Sequence, residues 1–361
     1  MSDVYKLIKG NEAVVYGAMA AKVQCYFGYP ITPQNEIPEL LSALLPEHGG
    51  QFVPAESEIG AINMLLGAGS CGVRAMVSSS GPGISLMQEG ISFMAGSELP
   101  GVIVNMSRGG PGLGDIGPTQ GDYFQATRGG GHGDYRTLVL APSTCQECYD
   151  MTKDAFRLAF LYRNPVLILG DAMVGQLKEP VRFSESYTRV APGEAIEEDQ
   201  VLGWRLEGKA GRSKRLLKSV YLNDNYLEVR NRMLMAKYAS MRQDAKAELL
   251  ETEDADLVLV AFGSMGRIAR ALVVQLRREN KKLGLVRPQT LFHFPAAVLH
   301  KLAQQGKRFL VLEQNTGQMI EDARLAVQGL ARVDWFGVMP GRFPGADDVI
   351  EPVRLALETS A

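Results

Sequence analysis

Between residues 12 and 175, short apolar runs bounded by turn residues alternate with longer segments of helical periodicity, and this alternation leaves few folds open. Val23–Tyr29, Val73–Ser78, Gly101–Met106, Leu138–Ala141 and Pro165–Leu169 read as strands, with helical patterns near 34–45, 58–69, 85–97 and 145–160. Strands that are apolar along their whole length and separated by helices form a parallel sheet covered on both faces. The alternation resumes after Ala255, with strands expected at Leu257–Phe262, Leu283–Arg287, Phe309–Glu313 and Val333–Val338. Helical patterns near 265–279, 295–305, 317–330 and 346–358 complete this second unit. The fold class is therefore α/β: a doubly wound parallel sheet followed by a smaller α/β domain, in keeping with the length of 361 residues. Residues 185–252 differ, being polar and charged around Gly208-Lys-Ala-Gly-Arg-Ser-Lys-Arg215, with a helical pattern over Tyr226–Leu250. The expected division is a first domain over 1–190, a connector with a helix over 191–252, and a second domain over 253–361.

Charge and cysteine usage exclude several functions. The formal net charge is -2 with no long run of one sign, so neither nucleic acid nor an anionic membrane is an expected partner. The basic cluster Lys209–Lys218 reads as a solvated connector. No apolar stretch is long enough to span a bilayer. The first ten residues lack the apolar core of a signal peptide. Four cysteines make no disulfide framework, and a cytoplasmic location is expected. Cys145 and Cys148 open a helical pattern with Ser143 or Thr144 as its cap, while Cys25 and Cys71 stand alone. An iron–sulfur cluster needs four thiolates, so any cluster belongs to another chain. His48, His293 and His300 show no metal-ligand spacing, and no metal site is expected.

In open α/β sheets, ligands bind beyond the carboxyl ends of the strands. Three loops lie there: Tyr29-Pro-Ile-Thr-Pro33, Ser78-Ser-Ser-Gly-Pro-Gly83 and Ser107-Arg-Gly-Gly-Pro-Gly112. The second has a strand leading in and a helix leading out, so its backbone N–H groups face a ligand at a helix N-terminus, without a Walker lysine. Gly112-Leu-Gly-Asp-Ile-Gly117 fits GxGxxG by letter, but flanking Pro111 and Pro118 and the lack of helical periodicity make it a folded loop. Glu58 opens a helix that is otherwise small and apolar, including Gly60, Gly67 and Gly69, and so sits at its positive end. Thr32 stands in a Pro-flanked turn and can donate one hydroxyl hydrogen bond, and Arg108, at a strand end, can clamp a carboxylate. An acid, a cation and a hydroxyl at neighbouring strand ends point to a small anionic substrate beside a heterocyclic cofactor. Of the histidines, only His132, in a Gly-rich loop after Arg128, invites a test, and Asn315 or Thr316 reads as a helix cap.

Several ordered motifs resemble the alpha-type subunit of 2-oxoacid:ferredoxin oxidoreductases. They are Gly28-Tyr-Pro-Ile-Thr-Pro33, Glu58-Ile-Gly-Ala-Ile-Asn63, Ser79-Ser-Gly-Pro-Gly-Ile-Ser-Leu-Met-Gln-Glu89 and Ser107-Arg-Gly-Gly-Pro111. Leu285-Val-Arg-Pro-Gln-Thr-Leu-Phe-His-Phe-Pro295 and Val311-Leu-Glu-Gln-Asn-Thr-Gly-Gln-Met319 resemble that family's carboxyl domain, so the likeness covers nearly the whole chain. The connector, with Trp204, Ser219-Val-Tyr-Leu222 and Asn231 through Tyr238, looks most like subunits of the branched-chain (2-oxoisovalerate) type.

The resemblance implies a thiamin diphosphate (ThDP) pyrimidine-binding domain followed by a transketolase C-terminal-like domain. Glu58 would hydrogen-bond the pyrimidine N1′ and favour the imino tautomer that deprotonates thiazolium C2. Neighbouring Glu56 competes for that role, but only Glu58 stands nine residues before Gly67. Thr32 and Arg108 would hold the 2-oxoacid, and Pro30, Ile31, Ser79, Ser80, Gly81, Pro82 and Gly83 would line the cofactor. The signature by which other ThDP domains bind diphosphate and magnesium, Gly-Asp-Gly followed by an Asn pair, is missing; Gly170-Asp-Ala172 is the nearest approach. A beta-type subunit would thus supply the diphosphate half-site and Mg. Gamma-type and ferredoxin-like cluster subunits would complete an oxygen-sensitive dimer of heteromers that makes acyl-coenzyme A. The 2-oxoglutarate enzyme and a non-catalytic assembly subunit are the alternatives, with a dinucleotide-dependent enzyme a distant third.

Overall fold

The computed structural model describes residues 4–183, 203–223 and 225–358. The chain opens with β1 (Val4–Lys9), α1 (Gly10–Ala20), β2 (Cys25–Gly28), α2 (Glu36–Glu47) and β3 (Gln51–Pro54). It continues through α3 (Glu58–Ser70), β4 (Ala75–Ser79), α4 (Gly81–Ser97), β5 (Gly101–Ser107), α5 (Tyr123–Arg128) and β6 (Leu138–Leu140). Then come α6 (Cys145–Tyr162), β7 (Pro165–Asp171), α7 (Ala172–Gln176), β8 (Lys178–Phe183) and α8 (Tyr226–Ser240). The second half comprises β9 (Ala247–Leu250), β10 (Leu257–Val260), α9 (Gly263–Arg278), β11 (Leu283–Pro288), β12 (Thr290–Phe292) and α10 (Ala296–Gln304). It ends with β13 (Arg308–Glu313), α11 (Met319–Val327), β14 (Val333–Gly337) and α12 (Ala346–Glu358).

The first sheet has seven strands in the order β12-β6-β7-β5-β4-β2-β3. All its pairings are parallel except β12 with β6. Every residue of β5 and β7 is buried, which is why both read as mainly apolar runs, with polar residues only towards their carboxyl ends. One core packs around α3, α4 and β4, another around α1, α2 and α6, so the sheet is covered on both faces. The second sheet runs β14-β13-β10-β11-β9, parallel apart from β9. The doubly wound α/β reading and its smaller second unit are observed.

Some elements differ from the sequence expectation. The helical pattern over Tyr226–Leu250 ends at Ser240, and Ala247–Leu250 pairs antiparallel with β11. β12 leaves the second unit to seal the β6 edge of the first sheet. β1 and β8 form an antiparallel ribbon outside both sheets. The expected boundary between residues 190 and 191 lies outside the described residues. Among the described residues, no helix is long and apolar enough to cross a membrane.

Candidate active site

Ser57 caps α3, its hydroxyl accepting from the Gly60 N–H at 3.3 Å, and places Glu58 in the first turn. Glu58 is 5% exposed and accepts a hydrogen bond from the Ser79 hydroxyl at 3.2 Å. The neighbouring wall is the first turn of α4. A Cβ built at Gly83 would lie 2.3 Å from Glu58 Oε1 and 2.0 Å from Ser79 Oγ, so only glycine lets the carboxylate lie against that backbone. Ser80, the residue capping α4, has a buried hydroxyl with no hydrogen-bond partner. A buried polar atom left in this state is costly unless a ligand satisfies it.

Arg108 follows β5 and is 9% exposed. Its guanidinium donates to the Thr32 carbonyl at 3.0 Å and more weakly to the Leu113 carbonyl at 3.4 Å, while its Nε is buried without a partner. Among the described residues no carboxylate pairs with it, and a nearly buried cation without a counterion favours an anionic ligand. Thr32 is thus brought to Arg108, and its hydroxyl accepts from Asn35 Nδ2 at 3.3 Å. Arg108 and Glu58 flank one helix start, since Arg108 Cγ lies 3.9 Å from a Cβ built at Gly81, two residues before Gly83. No hydrogen bond joins them directly. Pro30 is exposed and Ile31 half-buried in the turn before Thr32.

Other sequence candidates have structural employment. Thr144 caps α6, accepting from the Glu147 N–H at 3.1 Å, and burial pushes the Cys145 thiol up to about 12. Asp171 sits at the end of β7, accepting from Val174 N at 2.9 Å and from Ser264 N at 3.3 Å, so it ties the starts of α7 and α9. The cap of α11 is neither Asn315 nor Thr316. Glu313 at the end of β13 accepts from Met319 N at 2.8 Å and Ile320 N at 3.1 Å, because the strand aims its carboxylate at the helix start. Asn315 instead donates to the Gln120 carbonyl at 3.0 Å. His132 is an exposed loop residue whose carbonyl accepts from Ser92. Residues 112–117 form a turn with no helix through it, Asp115 accepting from Gly117 N at 3.1 Å.

Sequence reading missed Asp122, which stands at the end of the segment after Pro118. Its Oδ2 accepts from Asn105 Nδ2 at 2.9 Å and Ser107 Oγ at 3.0 Å. It also missed the buried chain in which Tyr26 and Ser78 hydroxyls lie 2.7 Å apart and Ser78 donates to Gln34 Oε1 at 2.5 Å. The second depends on the pairing of β2 with β4 and the first on a loop folding back onto β5, and no local motif announces either.

Residues 16–245 match the family described as pyruvate flavodoxin/ferredoxin oxidoreductase, thiamine diphosphate-binding, and residues 255–349 match pyruvate:ferredoxin oxidoreductase core domain II. The chain belongs to the pyruvate flavodoxin/ferredoxin oxidoreductase family. It is 48% identical to the ketoisovalerate oxidoreductase subunit VorB of Methanothermobacter thermautotrophicus, over 97% of each chain. Identity to the 2-oxoglutarate synthase subunit KorA of Methanothermobacter marburgensis is 33%, over 98% of this chain and 99% of that one. Among solved structures, the 2-oxoglutarate:ferredoxin oxidoreductase of Magnetococcus marinus, bound to 2-oxoglutarate, coenzyme A and succinyl-CoA, matches with a TM-score of 0.85 at 25% identity. That match covers 98% of this chain and 65% of the other, longer one. A split-gene transketolase, with a TM-score of 0.57 and 15% identity, covering 97% and 98% of the two chains, shares the fold. The architecture of this family member is thus a ThDP pyrimidine-binding domain joined to a smaller α/β domain.

Proposed function

We propose that the chain is the alpha-type subunit of a 2-oxoacid:ferredoxin oxidoreductase acting on a branched-chain substrate such as 3-methyl-2-oxobutanoate. The observation that carries the reading is the Glu58 carboxylate held against Gly83 in the first turn of α4, at the strand ends of a ThDP-binding domain. Higher identity to the ketoisovalerate subunit VorB, 48%, than to the 2-oxoglutarate subunit KorA, 33%, favours the branched-chain substrate.

The residues fit the pyrimidine half of ThDP. When bound, the cofactor supplies the electron sink for decarboxylation. Glu58 holds a proton at the pyrimidine N1′ and is kept in place by Ser79. The free Ser80 hydroxyl, the Gly81–Gly83 turn, Pro30 and Ile31 form its surroundings. Arg108, lacking an internal counterion, binds the substrate carboxylate, and Thr32 steadies its carbonyl.

The site is open where a second chain would close it. On α3 and α4, Ile59 is 48%, Leu86 48% and Phe93 41% exposed, and a Cβ at Gly67 would meet nothing within 4 Å. An apolar face beside a half-built site is a partner surface. We place there the beta-type subunit that holds the diphosphate and Mg. Gamma-type and ferredoxin-like subunits handling coenzyme A and the clusters complete a cytoplasmic dimer of heteromers. The chain's own cysteines are free and scattered, with Cys71 exposed at the end of α3 and Cys145 and Cys148 buried in α6.

Glu58→Gln in the reconstituted complex tests the assignment. Turnover falls by roughly 10²–10⁴-fold, the usual worth of a positioned acid–base group, while assembly persists. An unchanged rate would mean that the chain is a non-catalytic scaffold.

A further inference from the structure

We propose that Asp122 is a positioning residue for the substrate-binding cation: it locks the end of β5 so that Arg108 presents its guanidinium to the 2-oxoacid. The inference rests on the reading of Arg108 above. The Asp122 Oδ2 atom accepts from Asn105 Nδ2 at 2.9 Å and from Ser107 Oγ at 3.0 Å, and Ser107 is the residue before Arg108. These two donors point to the same side of the strand, and each needs an acceptor because Asn105 and Ser107 are fully buried. The carboxylate also lies 3.8 Å from a Cβ built at Gly81, the helix start that Arg108 flanks. A single group therefore holds the β5 wall of the anion site and lies beside the α4 wall.

The brace is itself anchored from the second domain. Gln120 Nε2 donates to the Phe262 carbonyl at 2.7 Å, and Gln120 N donates to the Gln314 carbonyl at 2.9 Å. Gln318 Nε2 donates to the Gly121 carbonyl at 2.8 Å. An isolated antiparallel bridge joins Arg108 to Pro118, so the anchored segment touches Arg108 at its other end as well. Among the described residues Arg108 has no carboxylate partner, and its guanidinium is held only by the Thr32 and Leu113 carbonyls, so the placement of its backbone by these neighbours sets where it points. Burial pushes the Asp122 carboxyl up, and the two donors pull it back towards ionisation. Its second oxygen takes no hydrogen bond among the described residues, so the group's role here is geometric.

Steady-state kinetics of the reconstituted complex test the proposal. Asp122→Ala raises KM for the branched-chain 2-oxoacid by about tenfold or more, with a smaller change in kcat and no change in KM for coenzyme A. Asp122→Asn, which can still offer one oxygen to both donors, recovers most of that loss. In an Arg108→Ala background, Asp122→Ala adds no further rise, because the brace then has nothing to aim. Should Asp122→Ala fail to assemble, Ser107→Ala removes one of the two hydrogen bonds and shows the same KM-selective loss at smaller size. Additive effects of Asp122→Ala and Arg108→Ala, or an unchanged KM in Asp122→Ala and Ser107→Ala, overturn the proposal. If Arg108→Ala alone leaves KM unchanged, the underlying reading of Arg108 has failed instead.

Discussion

Gly83 shows how one missing side chain lets a carboxylate lie against a helix start. The space its Cβ would take is occupied by the ends of two flexible side chains, Glu58 and Ser79. Gly83→Ala therefore displaces the carboxylate without dismantling α4, at roughly 1–2 kcal/mol of stability. The variant assembles, melts within a few degrees of the parent, and loses turnover by about tenfold or more; a parent-like rate would show that the Glu58–Gly83 contact is dispensable. Glu58 was legible in the sequence because a lone charge at the start of a small, apolar helix has few structural uses. Arg108 was legible because it stands at a strand end among glycines. Asp122 was not, since its partners Asn105 and Ser107 face it only once β5 is folded into the sheet.

At the scale of elements, Arg287 of β11 ties the second sheet to α6, a helix covering the first. Its guanidinium donates to Glu147 of α6 at 2.5 Å and to Glu248 of β9 at 2.6 Å, and the Arg287 side chain is 5% exposed. Burial works against ionised Glu147, but hydrogen bonds from Arg287, the Arg287 charge and the Ser143 N–H outweigh it and hold the carboxyl below its ordinary range. A carboxyl lowered in the folded state contributes stability that is complete above its unfolded value, about 4.3, and is lost as pH falls through the folded value. Glu147→Gln leaves a buried cation with only Glu248, and costs about 3 kcal/mol near neutral pH. Its stability should then fall less steeply than the parent's below pH about 4.3, as read by chemical denaturation at several pH values. Parallel loss in both chains would place the acid sensitivity elsewhere.

The same scale explains which elements could be read. β4, β5, β7, β10, β11 and β13 are buried through most or all of their length, so continuous apolar runs mark them. β1 and β8 form a ribbon apart from the sheets, β3 is a short edge strand with exposed ends, and β12 crosses back from the second unit. Such strands carry little periodic signal of their own. β9 was hidden because it follows α8 closely and its residues Ala247–Leu250 extend a helical pattern by letter.

For the whole molecule, the proposed function amounts to half of a catalytic centre. This chain brings the Glu58 carboxylate, the Arg108 cation and an open apolar face on α3 and α4, while the metal-binding signature has no counterpart here beyond Gly170-Asp-Ala172. Asp171 is committed to the helix starts of α7 and α9 and is buried. Equilibrium binding of ThDP with Mg, measured on this chain alone, on the beta-type subunit alone and on their mixture, tests the shared centre most directly. Weak binding by this chain that becomes tight only in the mixture is the predicted result, and tight, Mg-dependent binding by this chain alone would contradict it.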